Sequence, residues 1–270
     1  KECADGRNDV VHRVLTSIAD IPEIIGDFVE TEIGILAIIG GDGTVQATLT
    51  HLFRSRPFEQ MPVLAILPGG RTNMIAADMG LKGRSDHILE KLISLVKMND
   101  WSKYVTQRQV LRIQNHTETD TQFGMFFGAA GICRAIQACR RTYHPYKLSS
   151  NVATALTLAG SIGRLLIGRH DSDQICRGDE FTISLDGETR NSCSCLLVLA
   201  TTLNKLLFGS QPYWTDREGT VHFSFITYPP KDVGRSAYRF LFGGEDRQLP
   251  VGSYFSQDVN SIRLSFDGPY

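Results

Sequence analysis

Two uninterrupted apolar runs, Ile33–Ile39 (IGILAII) and Val63–Leu67 (VLAIL), each stop at a glycine-rich turn. The first turn is Gly40-Gly41-Asp42-Gly43-Thr44 and the second is Pro68-Gly69-Gly70-Arg71-Thr72-Asn73. Short apolar runs bounded by glycine suit strands buried on both faces, the habit of parallel sheets covered by helices. Helical spacing follows each turn: Val45–Ser55 after the first, a short helix through Ala77 after the second. Asp86–Lys97 reads as another helix with Ser85 or Asp86 as N-cap, and Val10–Ala19 and Ile21–Glu30 read as helices upstream. Strand, turn and helix in repetition predict an α/β domain with a parallel sheet.

The pattern changes after Trp101. Val105–Ile113, Phe181–Leu185, Cys195–Ala200, Val221–Thr227 and Ser261–Phe266 alternate apolar with polar residues, as half-buried antiparallel strands do. Ile132–Arg141 and Asn151–Ile167 interrupt them at helical spacing, and Pro229–Val251 reads as a partly helical surface excursion. The expectation is an α/β domain over 1–103, then a mostly antiparallel β-sandwich domain over 104–270 with helical insertions. A length of 270 residues fits two domains.

Composition narrows the function classes. Lys plus Arg total 28 against 29 Asp plus Glu, so no excess of positive charge marks the chain as built to hold nucleic acid. The six cysteines form no Cys-x-x-Cys pair, and Cys193 and Cys195 fall on one face of a strand. A reduced, cytoplasmic setting fits them better than a disulfide framework. No His-Glu-x-x-His or His-Cys cluster supports zinc. Val152–Gly168 is too short and too polar to span a bilayer, so no transmembrane segment is expected.

The turns carry the chemistry. Ligands of open α/β sheets collect beyond the carboxyl ends of the strands, and glycine lets backbone N–H groups approach phosphate oxygens. An ordinary βα turn needs one glycine, whereas the first turn has three around Asp42. A carboxylate there repels phosphate directly; its expected work is to hold Mg²⁺, water or a ribose hydroxyl beside it. Two such turns on successive parallel strands open on the same edge and can line one crevice. Arg71 offers a planar fork to a phosphate, or else is a solvated loop cation. Asp186-Gly187-Glu188 lies between two alternating stretches and reads as a hairpin turn. Tyr146–Arg169 reads as a core-facing helix in preference to a lipid entrance.

GGDGT after one buried strand and LPGGRTNMIA after the next resemble the diacylglycerol kinase catalytic-domain family, which includes bacterial lipid kinases and sphingosine kinases. The GGDG element is shared with NAD kinases; the second motif is similar to P-x-G-T-x-N-x-x-A, which they lack. Phe123–Ile132, Thr202–Asn204, Gly209–Trp214 and Arg217–Phe225 resemble the family more loosely. The resemblance implies ATP bound between two domains and, with Mg²⁺, transfer of its γ-phosphoryl group to a lipid hydroxyl. It implies phosphate or metal binding by Gly40, Gly41, Asp42, Gly43 and Thr44 and by Gly69, Gly70, Arg71, Thr72 and Asn73. Asp42 would be the catalytic member of that network. It further implies a lipid substrate met at a membrane surface, a cytoplasmic protein peripheral to the inner face of the membrane, no nucleic-acid partner, and room for a homodimer.

Four departures stand out. The family's opening strand and N-P-x-[SA]-G turn are missing before Lys1. Ala47 stands where many members have Glu, and Arg71 stands where the family has Thr. The D-G-E base motif is due about where the chain stops, at Asp267–Tyr270, which places the general base beyond Tyr270. A fragment, or a non-catalytic homologue that binds nucleotide or lipid, is therefore the alternative expectation, with a NAD-kinase-like phosphotransferase as a weaker one.

Overall fold

A computed structural model describes residues 10–70, 72–115, 120–143, 177–190, 192–215, 218–244 and 247–267. The chain divides into two compact units, Lys1–Met125 and Phe126–Tyr270.

In the first unit, β1 (Ile35–Gly40) and β2 (Val63–Pro68) pair in parallel, with Ile35 opposite Val63 and Gly40 opposite Pro68. Their register brings both glycine turns to the same edge. Helices α1 (Ile21–Glu30) and α2 (Asp42–Ser55) supply Ile21, Ile25, Phe28, Val45, Leu49 and Leu52 to the core with Leu36, Ile38, Ile66 and Leu67. The apolar run predicts burial of β1 on both faces; instead Ala37 and Ile39 are exposed, Ile39 at 49%. Only two strands pair in this sheet among the described residues.

Upstream, Val10–Ala19 is not a helix. Ser17 and Asp20 form a reciprocal capping box that starts helical structure at Ile18, and capping side chains set a start that apolar spacing alone does not. After β2 come α3 (Met74–Asp78) and α4 (Ser85–Lys97). The N-cap of α4 is Arg84, because Ser85 donates its hydroxyl to the carbonyl of Pro68 and so ties the start of α4 to the second turn.

The hairpin of β3 (Leu111–Gln114) and β4 (Thr121–Gly124) follows the boundary expected at 103/104 yet belongs to the first unit. β4 packs on α2. The Thr50 hydroxyl accepts from Phe123 N–H at 3.0 Å and donates to its carbonyl at 3.1 Å, and the Phe53 and Phe123 rings stack at 5.4 Å. Arg108 forms an ion pair with Asp78 of α3, whose side chain is 1% exposed. Alternation along 105–124 announces strands; which core they join depends on these long-range contacts.

The second unit is built on β8 (Cys193–Thr201). Along one edge lies β9 (Val221–Thr227); along the other, β6 (Asp179–Leu185) pairs with Cys193–Cys195 and β5 (Phe126–Ala130) with Leu197–Thr201. β10 (Tyr254–Val259) extends the sheet beyond β9, while β11 (Ile262–Ser265) and the short β7 (Glu188–Thr189) pair with β6. Every pairing is antiparallel, as the alternating pattern predicts. Phe181, Ile183, Val198, Phe223 and Val259 form its fully buried centre.

Helix α5 (Gly131–Tyr143) leaves β5, and Arg134 fastens it to β6 through Asp179 and through the Arg177 carbonyl at 2.6 Å. Helix α6 (Val233–Phe242) lies in the excursion expected to be partly helical. The stretches 146–169 and 151–167, read as helical, lie outside the described residues. β10 was not legible, because Ser256, Gln257 and Asp258 interrupt the apolar alternation of YFSQDV.

Candidate functional site: two interlocked glycine turns

The two turns meet backbone to backbone. Gly69 N–H donates to Gly40 O at 3.0 Å, continuing the strand pairing past the strand ends. A Cβ on Gly69 would lie 2.7 Å from Gly40 N, and one on Gly70 would lie 2.3 Å from Gly41 Cα. Gly40 is closed from the other side by the Thr44 side chain, 2.8 Å from where its Cβ would be. Gly40, Gly69 and Gly70 are therefore glycines because the protein itself occupies the space. Gly43 differs: it is exposed, and a Cβ there would meet nothing within 4 Å.

Asn73 shapes the second turn. Its Oδ1 accepts from Gly70 N–H at 2.7 Å, and its Nδ2 donates to Gly70 O at 2.8 Å. This two-bond ring holds the turn while Asn73 itself takes a left-handed backbone (φ 51°), a conformation asparagine tolerates better than most residues. Thr72 is half-buried in the turn. Arg71 lies outside the described residues.

Asp42 has a partner that the sequence reading did not foresee. Its Oδ2 accepts from Met74 N–H at 3.0 Å and its Oδ1 from Ile75 N–H at 2.9 Å. The carboxylate at the head of α2 thus caps α3, whose own N-cap residue, Asn73, turns its side chain to Gly70 and makes no capping bond to the helix. The negative charge of Asp42 rests on amide donors at the positive end of a helix. Helix α2 is left with Gly41 as its N-cap and no capping side chain. Its leading N–H groups have no intrahelical acceptor.

Pro68, Gly69, Gly70 and Asn73 form one wall of an open cleft of about 510 Å³, and Gly83, Arg84, Ser85 and Asp86 form the other. Arg84 grips Asp86 with both prongs, Nη2 to Oδ2 at 2.6 Å and Nε to Oδ1 at 3.1 Å. The guanidinium, with His87 N–H, holds the Asp86 carboxyl below the usual carboxylate range. This second wall was missed because Gly83–Asp86 reads in sequence as an ordinary helix start. Ala47 lines a different groove with Gln46, Thr50 and His51, so the glutamate expected at that position leaves no gap in this cleft.

Asp186-Gly187 forms the hairpin turn between β6 and β7. Both residues have positive φ (50° and 89°), and Leu185 pairs with Glu188 across it. Asp186 Oδ1 also accepts from Asn260 N–H at 2.9 Å and Ser261 N–H at 2.7 Å, which gives that carboxylate a structural task. Among the described residues, no group of three or more His, Cys, Asp or Glu is placed to hold a metal ion. No described helix is long and apolar enough to cross a membrane.

A small parallel sheet with glycine turns at its carboxyl edge, followed by a unit of antiparallel sheet, defines the fold class. Residues 7–99 match the family model described as diacylglycerol kinase catalytic domain, so the resemblance carried by the two turns is borne out. No curated protein sequence matches the chain. The fold is similar to a solved structure named a "putative diacylglycerol kinase" from Bacillus anthracis str. Sterne. The TM-score is 0.60 at 19% identity, over 94% of this chain and 73% of that one. Another, named a diacylglycerol kinase of the same strain, has a TM-score of 0.55 at 18% identity, over 95% of this chain and 73% of that one. These likenesses establish the two-part fold, and the family match lies over residues 7–99, the part that carries both glycine turns.

Proposed function

We propose that the chain binds Mg²⁺–ATP at the two turns and transfers the γ-phosphoryl group to the hydroxyl of a diacylglycerol-like lipid. The observation that carries this reading is the uncapped start of α2 beside Gly43, where the protein leaves both amide donors and open space. Phosphoryl transfer asks mainly for positioning and charge neutralisation. Gly41 and Gly43 let phosphate oxygens reach backbone N–H groups, and the Asn73 ring keeps the second turn in place beside the first.

Magnesium fits this donor set. It binds through substrate phosphates, retained waters and one or two carboxylates, so a dedicated cage of side chains is not needed. Asp42 is the carboxylate at the turn, and each of its oxygens keeps a lone pair beyond the bond to α3. When bound, the metal supplies neutralisation of phosphate charge. Asp42 in this reading has two tasks, fixing the second turn through α3 and facing the metal.

Titration calorimetry with Mg²⁺–ATP, ADP and adenosine tests the proposal. Affinity is expected to follow phosphate number, and Asp42→Ala should weaken it while destabilising the fold by about 1–2 kcal/mol, the worth of a helix cap. Equal affinity for adenosine and ATP would overturn phosphate recognition. Radiolabel transfer to diacylglycerol in mixed micelles tests the second half. Tight ATP binding without transfer would favour the non-catalytic nucleotide-binding homologue. The engagement of both Asp42 oxygens by α3 is the observation on that side.

A further inference from the structure

Helix α6 has two unlike faces. Ser236 and Phe240, one turn apart, are buried, with the Phe240 ring edge-on to Trp214 at 6.0 Å. The opposite face carries Arg235, Tyr238, Arg239 and Phe242, at spacings i, i+3, i+4 and i+7 that make one stripe. All four are exposed, Tyr238 at 71% and Phe242 at 41%, and the two rings lie 5.4 Å apart.

A further exposed ring lies in the loop that Gln211 ties to the end of the helix. Phe208 is half-exposed and held at φ 57°, a backbone that costs a bulky residue energy. Its turn lies alongside the end of α6, where Gln211 N–H donates to Leu241 O at 2.8 Å. Helix α6 itself contains two arginines and no acid; Asp232 at its N-cap is preceded by Lys231.

We propose that Arg235, Tyr238, Arg239 and Phe242, together with Phe208, dock the second unit on an anionic lipid surface. Exposed aromatic rings beside arginines match the two layers of a membrane interface: rings enter the headgroup–acyl boundary, and guanidinium groups stay with lipid phosphates. Charge complementarity selects the occupant. The two arginines of the face are matched by an anionic leaflet, and each is expected to strengthen binding about five-fold. The near-neutral chain as a whole argues against a nucleic-acid surface. The inference rests on the lipid-substrate reading above, since docking would bring the enzyme to its substrate.

Vesicle co-sedimentation tests it, using phosphatidylcholine alone and phosphatidylcholine with phosphatidylserine. The chain is expected to bind the anionic vesicles, less so as salt rises. Arg235→Gln/Arg239→Gln should weaken binding by about twenty-fold. Tyr238→Ser/Phe242→Ser should weaken it at least ten-fold at all salt concentrations. Both variants are expected to keep the parent's unfolding midpoint, because the side chains are exposed.

Absence of binding by the parent, or equal binding by parent and variants, would overturn the inference. So would retention of vesicle binding alongside loss of RNA capture or of self-association in the variants. Calorimetry with Mg²⁺–ATP on the same proteins separates the two readings. Variants that bind nucleotide normally but lose vesicles support the docking face, whereas a parent that binds vesicles but no nucleotide refutes only the proposed activity.

Discussion

Replacing Gly70 by alanine adds one methyl group where the two turns touch. Built on the existing backbone, its Cβ falls 2.3 Å from Gly41 Cα, 3.0 Å from Gly41 N and 3.2 Å from Asn73 Oδ1. Relaxed carbon–carbon contacts lie at about 3.5–4.0 Å, so the turns would have to part by roughly 1.5 Å. Nothing nearby gives way easily. Gly41 is fixed as the N-cap of α2, and Gly70 is held at both its N–H and its carbonyl by Asn73. Overpacking costs about 1–3 kcal/mol, and with two hydrogen bonds also strained the expected loss is in the upper part, about 2–3 kcal/mol.

Gly43→Ala is the matched control. Its Cβ meets nothing within 4 Å, so the fold should be unchanged or gain up to about 1 kcal/mol from helix propensity. Thermal unfolding followed by circular dichroism should show a midpoint lowered by roughly 4–12 °C for Gly70→Ala and not lowered for Gly43→Ala. Calorimetry should show Mg²⁺–ATP binding weakened in both, by displacement of the turn in one and by a methyl group in the phosphate's space in the other. An unchanged midpoint for Gly70→Ala would refute the claim that the turns are pressed together. Undiminished nucleotide affinity for Gly43→Ala would refute the claim that its open space receives the phosphate.

Burial pushes the Cys195 thiol upward, aided by Cys193 with its sulfur 3.5 Å away; Cys133 is raised for the same reason of burial. A folded state that keeps protons which the unfolded state releases loses stability as pH rises. Urea midpoints should therefore fall above the ordinary thiol range near 8.5, by at most about 1.4 kcal/mol per pH unit for each such thiol. Cys195→Ser/Cys133→Ser should flatten that slope, and a slope identical to the parent's would assign it elsewhere. Glu188→Gln should leave phosphoryl transfer within a factor of about three, because Glu188 belongs to a hairpin strand, whereas loss of a positioned general base costs roughly a hundredfold or more. Gly187→Ala should cost about 1 kcal/mol or more in unfolding free energy, since φ 89° strains any residue with a Cβ.

The sequence by itself determined the elements whose signals are local. Glycine turns at the ends of apolar runs placed β1, β2 and the helices after them, and Asp-Gly between alternating stretches placed the hairpin at 186–187. Such features depend on the φ a residue tolerates and on the period of burial, and both can be read within a few neighbours. The tertiary structure decided the rest. It directed the Asp42 carboxylate to the N–H groups of Met74 and Ile75, more than thirty residues away in the chain. It gave three of the turn glycines an internal reason and left Gly43 without one. It brought Gly83–Asp86 across from the second turn, and it assigned β3 and β4 to the first core through Thr50 and Phe53. These outcomes rest on which distant groups come within hydrogen-bonding or van der Waals reach, a quantity that only the folded chain possesses.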